Sequence, residues 1–385
     1  MTTSTHSQLF SPVRLKGREL ANRAVLAPMT RVSGTAEGHA TAAMRDYYRD
    51  FAAGGFATLI TEGIYTDEAY SQGYLGQPGL ANDAQRDSWR PVVEAVHEQG
   101  GVFIAQLMHG GAQTQGNRFR DDTAGPSAVA PKGEQLGFYG GQGPYPVPRE
   151  MSEADIEAVI AGFADAARRA REAGFDGVEL HAANGYLLDQ FLSTGFNRRS
   201  DRWGGSIEGR LALPRAVIRA VRDAVGEDFL VGIRLSQVKV TDPDYRWAGL
   251  DEADALLRGV AEEALDYVHL SDIDARAPAF EGTEKSLAAL ARERVGVPVI
   301  ANGNLGDPAL AEAVLTAGEA DLVAVGKLAL ANRDWPRRVR EGLPLTAMDF
   351  AMLAPHASLA NEAQWRERNG VSATHSDTRE TAAPA

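Results

Sequence analysis

The stretch Gly177-Val-Glu-Leu-His-Ala-Ala-Asn-Gly-Tyr186 joins a short apolar run to a polar turn. Gly177–Leu180 reads as a buried strand. His181 and Asn184 then converge at the strand's carboxyl end, with the Tyr186 hydroxyl two residues further on. Two neutral donors and one weak acid gathered there can grip a carbonyl oxygen and protonate a neighbouring carbon. In isolation the same letters also describe a satisfied core histidine and a helix-capping asparagine. The rest of the chain decides between the two.

Working outward, short apolar runs alternate with helical patterns along most of the 385 residues. The other strands are expected at Ala24–Met29, Thr58–Thr61, Val102–Leu107, Leu230–Arg234, Tyr267–Ser271, Val299–Ala301 and Leu322–Gly326, with the quoted strand ending at His181. Helices are expected at Thr41–Ala53, Asp83–Gln99, Glu153–Glu172, Ile207–Val225, Asp251–Ala264, Lys285–Val295, Pro308–Thr316 and Trp335–Glu341. Ser152 with Asp155 reads as a capping box, Asp307-Pro308 opens another helix, and Gly100, Gly174 and Gly318 follow helix ends. Eight strand–helix pairs in sequence make an α/β fold with a parallel sheet, and that count favours closure into a (β/α)8 TIM barrel. Such a barrel needs about 250 residues, so residues 1–365 form one domain with room for insertions. The largest is the excursion at 110–149 after the third strand; Asp272–Glu284 is a second long loop. Residues 371–385 are small and polar and read as a loose tail.

Composition narrows the chemistry. Apolar residues make up 44% of the chain, enough for a large core, and the formal charge of −13 argues against a nucleic-acid partner. With no cysteine there can be no disulfide, thiolate catalyst or cysteine-bound cluster, and no metal site is expected. Neither a secretory signal nor a run long enough to span a bilayer is visible, which gives a cytoplasmic protein with no membrane partner as the simplest expectation. Monomer and homo-oligomer stay open.

In a barrel, chemistry belongs to the rim formed by the strands' carboxyl ends. Thr30, Glu62-Gly63, Gln106, His109, His181, Asn184, Arg234, Ser271, Asn302-Gly303-Asn304 and Gly326-Lys327 all fall there. The last two groups suit a phosphate: glycines admit backbone N–H groups to an anion, and Lys327 adds a charge. Gln106 and Arg234 across the mouth suit the carbonyls and ring nitrogens of a flat cofactor, so flavin mononucleotide (FMN) fits best. Pyridoxal phosphate would need a Schiff-base lysine, and Lys239 and Lys285 both lie beyond the expected strand ends.

These residues resemble the old yellow enzyme family of FMN-dependent ene-reductases. The likeness runs from about Leu9 to Leu343, through Ala21–Arg31, Thr61–Gly63, Gln106–His109, Glu179–Leu188, Asn197–Arg210, Gly232–Ser236 and Val323–Lys327. It implies that Pro28, Met29, Thr30, Gly63, Gln106 and Arg234 surround the flavin ring. Asn302, Gly303, Asn304, Gly326 and Lys327 lie in the segments expected to hold its phosphate. It further implies that His181 and Asn184 bind the carbonyl of an activated alkene and that Tyr186 delivers a proton. Tyr65 and Tyr139 are expected to contribute to the substrate pocket. NADH or NADPH would reduce the flavin first, then leave.

The chain departs from the family pattern at Trp203, Gly209, Gln237, Lys327 and Arg333. Alternatives are a flavin-dependent dehydrogenase or demethylase, a non-redox aldolase or isomerase acting on a sugar phosphate, and a flavin-binding protein without turnover.

Overall fold

The computed structural model describes residues 6–372. Eight parallel strands close on themselves: β1 (Ala24–Leu26), β2 (Thr58–Ile60), β3 (Val102–Met108), β4 (Gly177–Asn184), β5 (Leu230–Lys239), β6 (Tyr267–Ser271), β7 (Val299–Asn302) and β8 (Leu322–Val325). Each pairs with the next in sequence, and β8 pairs with β1 through Val323↔Ala24 and Val325↔Leu26. The expected (β/α)8 barrel is what the chain forms. The tail expected at 371–385 falls almost entirely outside the described residues.

Helices α1 (Ala42–Ala53), α2 (Asp83–His97), α3 (Glu153–Ala173), α4 (Ile207–Val225), α5 (Leu250–Ala261), α6 (Leu287–Arg292), α7 (Pro308–Thr316) and α8 (Trp335–Glu341) follow the strands in turn. Local chemistry sets their ends. Ser152 and Asp155 form the reciprocal capping box, and Gly174 closes α3 at φ 102°. Asp307 accepts from the Ala309 N–H at the start of α7. α6 is shorter than expected because Ser286 caps it, accepting from the Ala289 N–H.

Strand boundaries differ where they matter. β1 stops at Leu26, short of Pro28, which has no N–H to give a ladder. β4 and β5 run past His181 and Arg234 to a last pairing of Lys239 with Asn184, across an irregularity between Leu235 and Lys239. That extension places Asn184 beside β5.

The barrel interior is apolar below and polar above. Leu15 and Leu20, from an antiparallel hairpin (Val13–Leu15 with Arg18–Leu20), close the lower end against Val25, Ile60, Ile104, Leu230, Ile300 and Leu322. Tyr267 crosses at this level, and Gly232 makes room for it: a Cβ there would lie 2.1 Å from the tyrosine Cζ. A larger core fills the space between barrel and helices.

Candidate active site

Above the apolar plug, inward-facing residues of adjacent strands carry polar groups. Gln106 on β3 is paired with Glu179 on β4, and Arg234 on β5 with His181 on β4 and His269 on β6. Arg234 Nη2 donates to Ser271 Oγ (2.9 Å) and Asn302 Oδ1 (2.8 Å), while its buried Nε has no partner among the described residues. Gln106 donates through Nε2 to Glu179 Oε1 at 2.8 Å. Because a carboxylate only accepts, the Gln106 carbonyl is left facing away from it. A buried guanidinium N–H without an acceptor and an unengaged amide carbonyl are complementary to a flavin's pyrimidine edge.

His181 is buried, and its Nδ1 is unpartnered among the described residues. Burial first, then the charge of Arg234, hold its pKa well below the usual histidine value. It is therefore a neutral imidazole with one N–H to give. The Tyr186 ring stands edge-on to it, centroids 4.8 Å apart. Asn184 ends β4 at φ 62°, a left-handed conformation that asparagine tolerates. Its turn is held by Ser236 Oγ, which accepts from the Asn184 N–H (2.7 Å), and by Gln113 Nε2, which donates to the Asn184 carbonyl (3.1 Å).

Thr30 and Met29 follow β1, and Met29 Sδ lies 3.6 Å from where a Gly326 Cβ would stand, so the exits of β1 and β8 meet. Gly303 (φ 144°) has no room for a side chain, since a Cβ would sit 2.5 Å from the Asp272 carbonyl oxygen. Lys327 is exposed and has no carboxylate partner among the described residues. Tyr139, from the 110–149 excursion, packs 4.6 Å from the Tyr74 ring and donates to the Thr30 carbonyl (3.4 Å).

Two expected contributors lie elsewhere. Tyr65 turns its hydroxyl to Gln85 Nε2 (2.5 Å) on α2 and its ring against Phe119, away from the cluster. Asn302 spends its amide inside the protein, donating to the Ala324 carbonyl (2.9 Å) and accepting from Arg234. It orients the arginine instead of facing an anion. Two buried carboxylate sites also resolve. Glu62 accepts the Arg31 and Val32 N–H groups (2.9 and 3.1 Å), and burial pushes its pKa up to about 7. Lys239 lies within β5 and is sealed against Asp189 at 2.6 Å. Lys239 is therefore not a free lysine for Schiff-base aldolase chemistry. Tyr74, Glu179 and His269 were missed by the sequence reading; Glu179 and His269 sit inside strands whose apolar neighbours mask them.

Among the described residues no helix could cross a membrane and no cluster of acidic residues and histidines could hold a metal.

The fold and rim define a (β/α)8 flavoprotein oxidoreductase. The family model of the NADH:flavin oxidoreductase / NADH oxidase family matches residues 8–346, and the chain belongs to that family, the one that includes the old yellow enzymes. It is 35% identical to a probable flavin mononucleotide-dependent alkene reductase of Leishmania infantum, over 89% of this chain and 93% of that one. It is 34% identical to the NADH oxidase of Thermoanaerobacter brockii over 87% of this chain, which spans about half (51%) of that longer protein. The solved old yellow enzyme homologue of Zymomonas mobilis superposes with a TM-score of 0.82 at 29% identity, covering 91% and 97% of the two chains. The protein is an oxidoreductase using FMN and NAD(P)H.

Proposed function

We propose that this chain is an NAD(P)H-dependent ene-reductase acting on small activated alkenes such as enones and nitroalkenes. When bound, FMN supplies a two-electron carrier that takes hydride from NAD(P)H and returns it from N5 to the alkene β-carbon. Pro28, Met29, Thr30, Gly63, Gln106 and Arg234 would surround its ring, with Gly303, Asn304, Gly326 and Lys327 at its phosphate.

The observation that carries this reading is the neutral His181, unpartnered at Nδ1 and edge-on to the Tyr186 phenol. His181 and Asn184 donate to the substrate oxygen, where negative charge grows as the β-carbon gains hydride. A neutral imidazole suits this task because it does not lose its donor to an ionisable substrate. Tyr186 remains protonated at neutral pH, since burial raises its pKa, and it gives its proton to the α-carbon. Tyr139 closes one side of the pocket.

Spectroscopy of the FMN-loaded protein with a para-substituted phenol tests the oxyanion site. A broad long-wavelength band on adding the phenol is expected, from a phenolate held by His181 and Asn184 over the ring. A flavin spectrum that phenol leaves unchanged, with no effect of His181→Ala on phenol affinity, would overturn the assignment.

A further inference from the structure

Inside the barrel, below the mouth, lies a carboxylate that the proposed reaction does not use. Glu179 is fully buried. Its Oε1 accepts from Gln106 Nε2 (2.8 Å), and its Oε2 accepts from the Tyr267 hydroxyl (3.2 Å) and from His269 Nδ1 (2.9 Å). Arg234 is near enough for their charges to interact, without an ion pair between them among the described residues.

His269 and its hydrogen bond, the nearby Arg234 guanidinium and the Gln106 hydrogen bond outweigh burial and keep the Glu179 carboxyl below its ordinary pKa, so it is ionised. His269 is held neutral, chiefly by burial, and gives its single N–H to Glu179; its Nε2 is unpartnered among the described residues. An apolar side chain could occupy this level without the desolvation that a buried ion costs, as Ile104 and Ile300 do deeper in the barrel. The charge has two consequences at the rim. It dictates which end of the Gln106 amide faces inward, leaving the carbonyl as an acceptor for an imide N–H. It also opposes the positive field of Arg234, on the side of the ring where reduction places negative charge.

We propose that Glu179 is a positioning residue for the flavin, one that sets the orientation of the Gln106 amide and offsets Arg234, holding the bound FMN at a lower reduction potential than Arg234 alone would. This rests on the placement of Gln106 and Arg234 at the flavin ring described above.

The test is the midpoint potential of bound FMN, measured by equilibrium dye reduction, together with the FMN dissociation constant. Glu179→Gln keeps the shape and removes the charge, and its potential is expected to shift positive. Tyr267→Phe keeps the ring that packs at Gly232 and strips one donor from the carboxylate, leaving its field less screened. Its potential is expected to shift negative. A purely structural Glu179 would lower Tm in both variants and leave the potentials alike. A Glu179→Gln holoenzyme with the wild-type potential overturns the proposal. If that variant fails to fold, an unchanged or positive shift in Tyr267→Phe does so. An Arg234→Gln control separates the layers: unchanged affinity and potential there would sink the ring placement itself, whereas a response there without one at Glu179 sinks the Glu179 role alone.

Discussion

The hydroxyls of Tyr74 and Tyr186 lie 2.5 Å apart, with both side chains buried. Burial raises both pKa values, and the mutual bond raises that of Tyr74 further while lowering that of Tyr186. Either hydroxyl can donate in this pair. In the arrangement with Tyr74 as donor, the Tyr186 proton is left for the substrate side, and the phenolate formed on giving it away already has a hydrogen bond.

Kinetics of the two half-reactions should separate these residues. Tyr186→Phe is expected to leave flavin reduction by NAD(P)H intact and slow alkene reduction by roughly 100-fold or more, the usual worth of a positioned acid. Tyr74→Phe should slow alkene reduction several-fold. It should also move the alkaline limb of that pH profile upward, because Tyr186 loses the bond that lowers its pKa and stays protonated to higher pH. Stopped-flow traces across pH check both. Undiminished single-turnover reduction in Tyr186→Phe would remove its acid role.

Arg234 contributes a charge-assisted hydrogen bond to the cofactor in this reading. Arg234→Ala should weaken FMN binding by about 10- to 100-fold, corresponding to about 1.5–3 kcal/mol for a hydrogen bond to a charged group. Fluorescence titration of apoprotein with FMN measures it, and equal affinity would show that the guanidinium does not touch the flavin.

Acid stability should depend on Glu362. This side chain, on the helix Leu359–Asn369, is bonded by Arg31 (2.6 Å), Arg333 (2.8 Å) and Arg366 (2.7 Å) and is 1% exposed. The arginines outweigh its burial and hold its pKa down at about 2, against an ordinary 4.5. A carboxyl with a depressed folded pKa adds stability that is complete above the unfolded value and is lost as pH falls through the folded one. The shift corresponds to roughly 3 kcal/mol, lost between about pH 4.5 and pH 2. Glu362→Gln should lower Tm at neutral pH and flatten the fall across that window. Parallel Tm–pH curves for the two proteins would contradict this. Because Arg31 follows Thr30, the same variant should loosen the β1 exit.

Gly209 is one of the departures from the pattern the chain resembles, and the local packing leaves no room for a side chain there. A Cβ at this position, in the first turn of α4, would lie 2.1 Å from the Gly204 carbonyl oxygen. Gly209→Asn should therefore lower stability by about 1–3 kcal/mol through forced movement of the 204–209 turn, as overpacking commonly does. Chemical denaturation is the measurement, and a neutral or stabilising result would mean that the turn relaxes freely.

Three other departures, Gln237, Trp203 and Arg333, also have partners that a linear reading could not supply. Gln237 donates to the Ala279 carbonyl (3.0 Å) and accepts from the Trp247 N–H (3.2 Å), tying the β5 exit to the 272–284 loop. The Trp203 indole donates to Glu153 (2.5 Å), and Arg333 joins the Glu362 cluster.

Barrel architecture was legible because it depends on local patterns: short apolar runs alternate with helical patterns eight times, several of them marked by a helix cap or a glycine stop, and each signal acts within a few residues. Every parallel strand delivers the residues at its carboxyl end to one face of the barrel. His181, Asn184, Tyr186, Gln106 and Arg234 could therefore be named as candidates from their place at or just beyond the end of an expected strand. Tertiary structure decided what depends on partners distant in sequence. It turned Tyr65 toward α2 and Asn302 toward Arg234, brought Tyr74 to Tyr186 across 112 positions, and buried Glu179 against Tyr267 and His269. Periodicity says which face of a strand a side chain occupies, but the group it meets there is set by how the barrel closes.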